Sequence, residues 1–213
     1  MDCKMSIAAV VAAALAAAAP AAPFMPAMPP IVVDVVTMSD VSPTLVKNVI
    51  EETQAVFQSA GVRFIWRRGA LSLGTMHVLV STETGPSSHD DGLLPIGWLT
   101  FENDEPAREI HLSYANAVRF LEDSREVVGL VDRKTRSERE LLLGRLLGRA
   151  LAHELGLYLL ATKVHTSRGL LKGRRTAVEF FAPERTSFAL DTAERRLIAA
   201  RVRKEFNVAR RQN

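Results

Sequence analysis

At 213 residues, with 47% hydrophobic and 24% charged side chains, the chain can bury one sizeable core and is not composed like a disordered segment. A formal charge of +3 with 6% aromatic residues gives little support to a nucleic-acid surface, and none is expected. The single cysteine, Cys3, leaves the rest of the chain without a thiol, which excludes a disulfide scaffold and a thiolate metal site; a metal would have to be held by His, Asp or Glu.

Residues 1–22 read as a secretory signal peptide. Lys4 precedes an apolar, alanine-rich run over 7–22, and the small residues Ala19, Ala21 and Ala22 suit cleavage. An uncleaved membrane anchor is the alternative. Cleavage would give a secreted or periplasmic protein with no stable membrane span. Residues 23–30, with Pro23, Pro26, Pro29 and Pro30, form a Pro-rich linker, and 31–213 form one domain.

The β-branched stretch 31–38 predicts a strand. Ser42 is a natural N-cap, Pro43 suits the first helical position, and Gly61 stops a helix over 43–60. Strands follow at 62–66 and 75–81. In the second, Met76, Val78 and Val80 share one face, which turns His77 toward solvent. A polar loop over 82–93 carries His89, Asp90 and Asp91. Two further strands, 96–101 and 109–114, flank the turn-rich residues 102–106, and 115–134 reads as a short helix and loop.

Ser137 and Glu140 have capping-box spacing and open a long helix to Leu160. Within it Gly144, Gly148, Ala152 and Gly156 recur every four residues. Three glycines inside a helix cost about 1 kcal/mol each relative to alanine, so close approach by another element is expected, with the helix buried against the sheet. A last helix spans 191–203; its arginines read as a solvated face, with capture of anionic polymers as a further possibility. The fold class is α+β: a mixed β-sheet, one packed helix and one long helix.

The chemistry concentrates in residues 151–160. Two histidines four apart on a helix can chelate one zinc ion, and a Glu after the first can activate the metal-bound water. Here His153 and Glu154 hold the first two places, and Leu157 stands where the second histidine belongs. The run Ala152-His153-Glu154-Leu155-Gly156, then Tyr158-Leu159-Leu160, His165 and Gly169-Leu170-Leu171, resembles the active-site segment of small secreted metzincin-like bacterial zinc peptidases. The resemblance implies a zincin/metzincin-like fold over 31–213. It makes His153 and His165 the metal ligands, Glu154 the catalytic base, and Gly169-Leu170 the turn beneath the metal. Two positions depart from it: Leu157 for the second histidine, and Leu171 for the turn methionine.

Leu171 conserves size and apolarity, which costs below about 1.5 kcal/mol. Leu157 removes a ligand outright, so zinc is expected to be weak or lost and peptide-bond hydrolysis weak or absent. An active zinc-dependent endopeptidase using a replacement ligand is one alternative, with His89, His111, Asp90, Asp91 or Glu109 as donors. The other is a non-catalytic peptide-binding protein that pairs an extended ligand with an exposed strand such as 109–114. In each case the expected partner is a peptide or protein.

Overall fold

The computed structural model describes residues 28–69, 72, 75–86 and 95–212, with side chains as far as Lys204. The signal peptide expected at 1–22, Cys3, most of the linker, His89, Asp90 and Asp91 lie outside the described residues. The elements are β1 (Ile31–Thr37), α1 (Pro43–Phe57), β2 (Phe64–Arg68), β3 (Met76–Ser81), β4 (Gly97–Glu102) and β5 (Glu105–Ser113), then α2 (Tyr114–Asp123), α3 (Arg125–Val128), α4 (Arg136–Leu160), α5 (Ala177–Phe181) and α6 (Thr192–Gln212).

The strands form one mixed sheet in the order β2-β1-β3-β5-β4, parallel except for β4, which is antiparallel at one edge. The fold is thus α+β. Strand alternation places Val33, Val35, Met76, Val78, Val80, Ile110 and Leu112 on one buried face. Leu45 and Val49 of α1 and Leu147 and Leu151 of α4 close over that face. Asp34, His77, Glu109, His111 and Trp98 belong to the opposite face by the same alternation. His77 is not free in solvent: it is half-buried, and its Nε2 lies 2.9 Å from the Ser72 carbonyl oxygen. Asp34 explains the covering, because its carboxylate accepts from Ser72 N–H, Thr75 Oγ1 and Arg67 and so draws the chain before β3 across this part of the sheet.

Two expectations about the strands are corrected. Asn103 and Asp104 both take left-handed backbone (φ 50° and 65°), making a two-residue hairpin turn, so β5 starts at Glu105 rather than at 109. The segment 109–114 is also not an exposed strand: β5 lies between β3 and β4, and the sheet edge on this side is β4.

The long helix also starts differently. Its N-cap is Thr135, whose hydroxyl accepts from Glu138 N–H while the Glu138 carboxylate accepts from Thr135 N–H. The Ser137–Glu140 box does not form. Glu140 instead accepts from the Ser42 hydroxyl at the start of α1 and from Arg136. Both spacings satisfy the capping pattern, and the Ser42 contact joins residues far apart in sequence.

From Leu143 to Leu159 α4 is buried on nearly every side, against the sheet as expected. Its glycine ridge serves other neighbours. A Cβ at Gly144 would collide with Asn48, and one at Gly148 would sit 2.8 Å from the Val49 carbonyl oxygen and 2.7 Å from Glu52 Cβ, all on α1. Gly156 faces Leu170 and Leu171 at 2.8 and 3.0 Å. Gly148→Ala therefore overfills the α1–α4 crossing, and a loss of about 1–3 kcal/mol is expected in chemical denaturation. A variant as stable as the unaltered chain would show that the crossing adjusts freely.

Candidate active site

His153 and Glu154 lie two turns before the end of α4. Their neighbours are β4 on one side and the turn around Gly169 on the other. Glu154 is buried, and a Cβ at Gly97 of β4 would come within 3.3 Å of Glu154 Cγ and 3.1 Å of Leu112 Cδ2. Glycine at position 97 thus lets the edge strand run close over the carboxyl-bearing side chain. Gly169 has φ 71°, which favours glycine, and the turn it forms places the Leu170 carbonyl 2.9 Å from His153 Nδ1. A carbonyl only accepts, so Nδ1 carries the proton and the lone pair is left on Nε2.

The same Leu170 oxygen accepts from Arg175 Nη2 at 3.0 Å, and Arg175 also donates to the carbonyls of Gly169 and Ser187. Its guanidinium lies 3.8 Å from the Phe188 ring centroid, with Arg149 at 5.0 Å from that ring. Arg175 therefore binds the turn to the segment before α6 and fixes the carbonyl that orients His153.

His165 is exposed, and its ring stacks on that of His153 with centroids 5.2 Å apart and planes 9° apart. Gly173 makes room for it, since a Cβ there would sit 3.1 Å from His165 Cβ. The structure thus brings the two predicted ligands together, yet not as a chelate. A metal ion bonds each imidazole nitrogen along its in-plane lone pair. Stacked planes 9° apart do not meet between the rings, so a single ion cannot lie in both. Leu157 is 5% exposed and Leu171 3%, both within the hydrophobic core. Among the described residues no three His, Cys, Asp or Glu side chains are grouped so as to hold a metal ion. This donor set does not fit a zinc centre.

The suggested replacement donors on β5 do not mend it. His111 and Glu109 lie on the face of the sheet away from α4. There His111 Nε2 lies 3.0 Å from Glu109 Oε1, and its ring stacks on Trp98 at 4.9 Å. Burial pushes the Glu154 carboxyl up to about 8. Burial also pushes His153 down to about 4, helped by the nearby charges of His165 and Arg175 and opposed by the Leu170 hydrogen bond. At neutral pH the pair is mostly a carboxylic acid beside a neutral imidazole. In that state the acid has no free lone pair of carboxylate strength with which to deprotonate water.

Sequence reasoning missed Gly97, Arg175 and the ion cluster behind the site. Arg149, fully buried in α4, donates to Glu52 at 2.7 Å and to the carbonyls of Glu179, Phe180, Ala182 and Glu184. Together with Arg145, which donates to Phe181 O, it caps the carboxyl end of α5. One signal was present: an arginine amid the apolar run around Leu147, Ala150 and Leu151 demands a buried partner. No protein-family model matches the chain, and no curated protein matches it.

Proposed function

We propose that this chain is an exported, metallopeptidase-like protein whose zinc centre is degenerate, holding zinc weakly or not at all. Its β4 edge takes an extended peptide that is not cleaved efficiently. The observation that carries this reading is Leu157, packed in the core at the position where the resemblance calls for a second histidine, while the two remaining imidazoles stack instead of converging. Losing even a group that supports a ligand typically costs 10–100-fold in metal affinity or activity, and here a ligand itself is missing.

The peptide half of the proposal rests on β4. It is one of the two edge strands, no described strand pairs with its outer edge, and at Gly97 it runs close to Glu154. An extended chain can add to such an edge through backbone hydrogen bonds. The reading moves the expected docking strand from 109–114 to β4.

The test compares the unaltered chain with Leu157→His and Glu154→Ala for bound zinc and casein cleavage. Little zinc and no cleavage are expected in the unaltered chain, with zinc affinity raised more than about 100-fold in Leu157→His. About one zinc per unaltered chain, with cleavage abolished by Glu154→Ala, would sink the degenerate-centre reading.

A further inference from the structure

The helix α6 has a distinct charge. Over Thr192–Gln212 the sequence holds seven Lys and Arg against two Glu, a net +5, whereas the whole chain is only +3. The rest of the protein therefore nets −2. One side of the helix is used internally: Ile198, Ala199 and Val202 are buried, Arg201 lies 3.6 Å from Glu105, and its guanidinium lies over the Tyr158 ring. The opposite side carries Ala193, Arg196, Leu197, Ala200 and Lys204, all exposed and spaced so that they form one stripe. Leu197, 61% exposed, sits in the middle of that stripe between the two cations.

We propose that this stripe docks the protein on an anionic phospholipid surface. Arg196 and Lys204 would meet headgroup phosphates while Leu197 and the alanines enter the headgroup boundary, the division of labour of a helix lying in a membrane interface. A purely polyanionic partner would use the cations and gain nothing from Leu197. The negative remainder of the chain is repelled by the same surface, so docking is oriented with α6 downward. No helix among the described residues is long and apolar enough to cross a bilayer, which is compatible with peripheral attachment.

Co-sedimentation of the full chain with vesicles tests this. One set is an equimolar mixture of phosphatidylglycerol and phosphatidylcholine, the other phosphatidylcholine alone. Binding is expected on the first set at about 50 mM NaCl and should be lost at about 500 mM. The Arg196→Glu/Lys204→Glu variant should bind at least about ten-fold more weakly, and Leu197→Ser should bind more weakly at unchanged charge. Equal binding of the charge-reversed variant, or equal binding of the unaltered chain to neutral vesicles, would overturn the proposal; the latter would point to the apolar stretch over 7–22. Unchanged binding of Leu197→Ser would overturn the lipid assignment in favour of a polyanion.

Discussion

Glu52→Ala is expected to lower the free energy of unfolding by about 3–5 kcal/mol, read from urea denaturation. The carboxylate is buried on α1 and accepts from Arg149 Nε at 2.7 Å and Arg185 Nη2 at 2.6 Å. Removing it leaves the Arg149 guanidinium in the core, where its remaining partners are neutral carbonyls. Those carbonyls satisfy donors but do not balance charge, and the desolvation that burial imposes on the cation is then uncompensated. The exposed pair Lys47–Glu51, at 3.7 Å on the same helix, is the control: Lys47→Ala should cost less than about 1 kcal/mol. Similar losses from the two variants would show that the Glu52 cluster is open to water and that its burial has no energetic consequence.

Glu154→Gln is expected to gain stability relative to the unaltered chain by on the order of 4 kcal/mol between pH 5 and pH 8, at 1.36 kcal/mol per pH unit. In the folded chain the Glu154 carboxyl titrates at about 8 instead of its ordinary 4.5. Between those values the unfolded chain has released a proton that the folded chain keeps. Stability from this group is therefore complete below pH 4.5 and is lost as pH rises to about 8. Glutamine has the same shape and nothing to ionise, so it lacks that slope.

His153 has the opposite sign. Its ordinary 6.5 is pushed down to about 4, so its contribution is present above pH 6.5 and lost as pH falls. From pH 4.5 to 6.5 the two slopes offset each other, and from 6.5 to 8 the Glu154 loss stands alone. Thermal denaturation of both proteins across this range checks the prediction. Parallel curves would mean that water or an ion reaches Glu154 and keeps it ionised.

The elements legible in the sequence are those with a long period. The helix α1 was marked by Ser42, Pro43 and Gly61, and α4 by its length and its glycines; β1, β2 and β3 stood out as apolar runs between turns. The sheet order was not legible, because strand alternation tells which residues share a face but not which strand is outermost. Segment 109–114 therefore reads as an exposed strand, although β5 lies inside the sheet and the edge belongs to β4. The five-residue α5 has no period at all; Thr176 and Glu179 cap its start, but Arg145 and Arg149, some thirty residues earlier, cap its end.

The site divides along the same line. His153, Glu154 and the gap at Leu157 could be read because they share one helix, where spacing determines direction. How His165 would stand against His153 depends on the turn at Gly169 and on the space left by Gly173, and neither determines a ring plane from sequence. The face of His77 followed from strand phase, whereas His111, offered as a replacement donor, lies on the sheet face away from α4. The bond from His77 to Ser72 and the stacking of His111 on Trp98 depend on which loop and strand lie alongside.

Asn116 is buried at the start of α2. Its Nδ2 donates to the carbonyls of both Thr84 and Pro95, at 3.0 and 2.8 Å, so a single amide clasps the two ends of the connection between β3 and β4. The chain is thus tied to α2 at a point after β3 and at a point before β4. Lengthening that connection changes mainly the entropy of closing it, about 0.6 kcal/mol for each doubling. Insertion into that connection is therefore expected to leave the pairing of β4 with β5 intact.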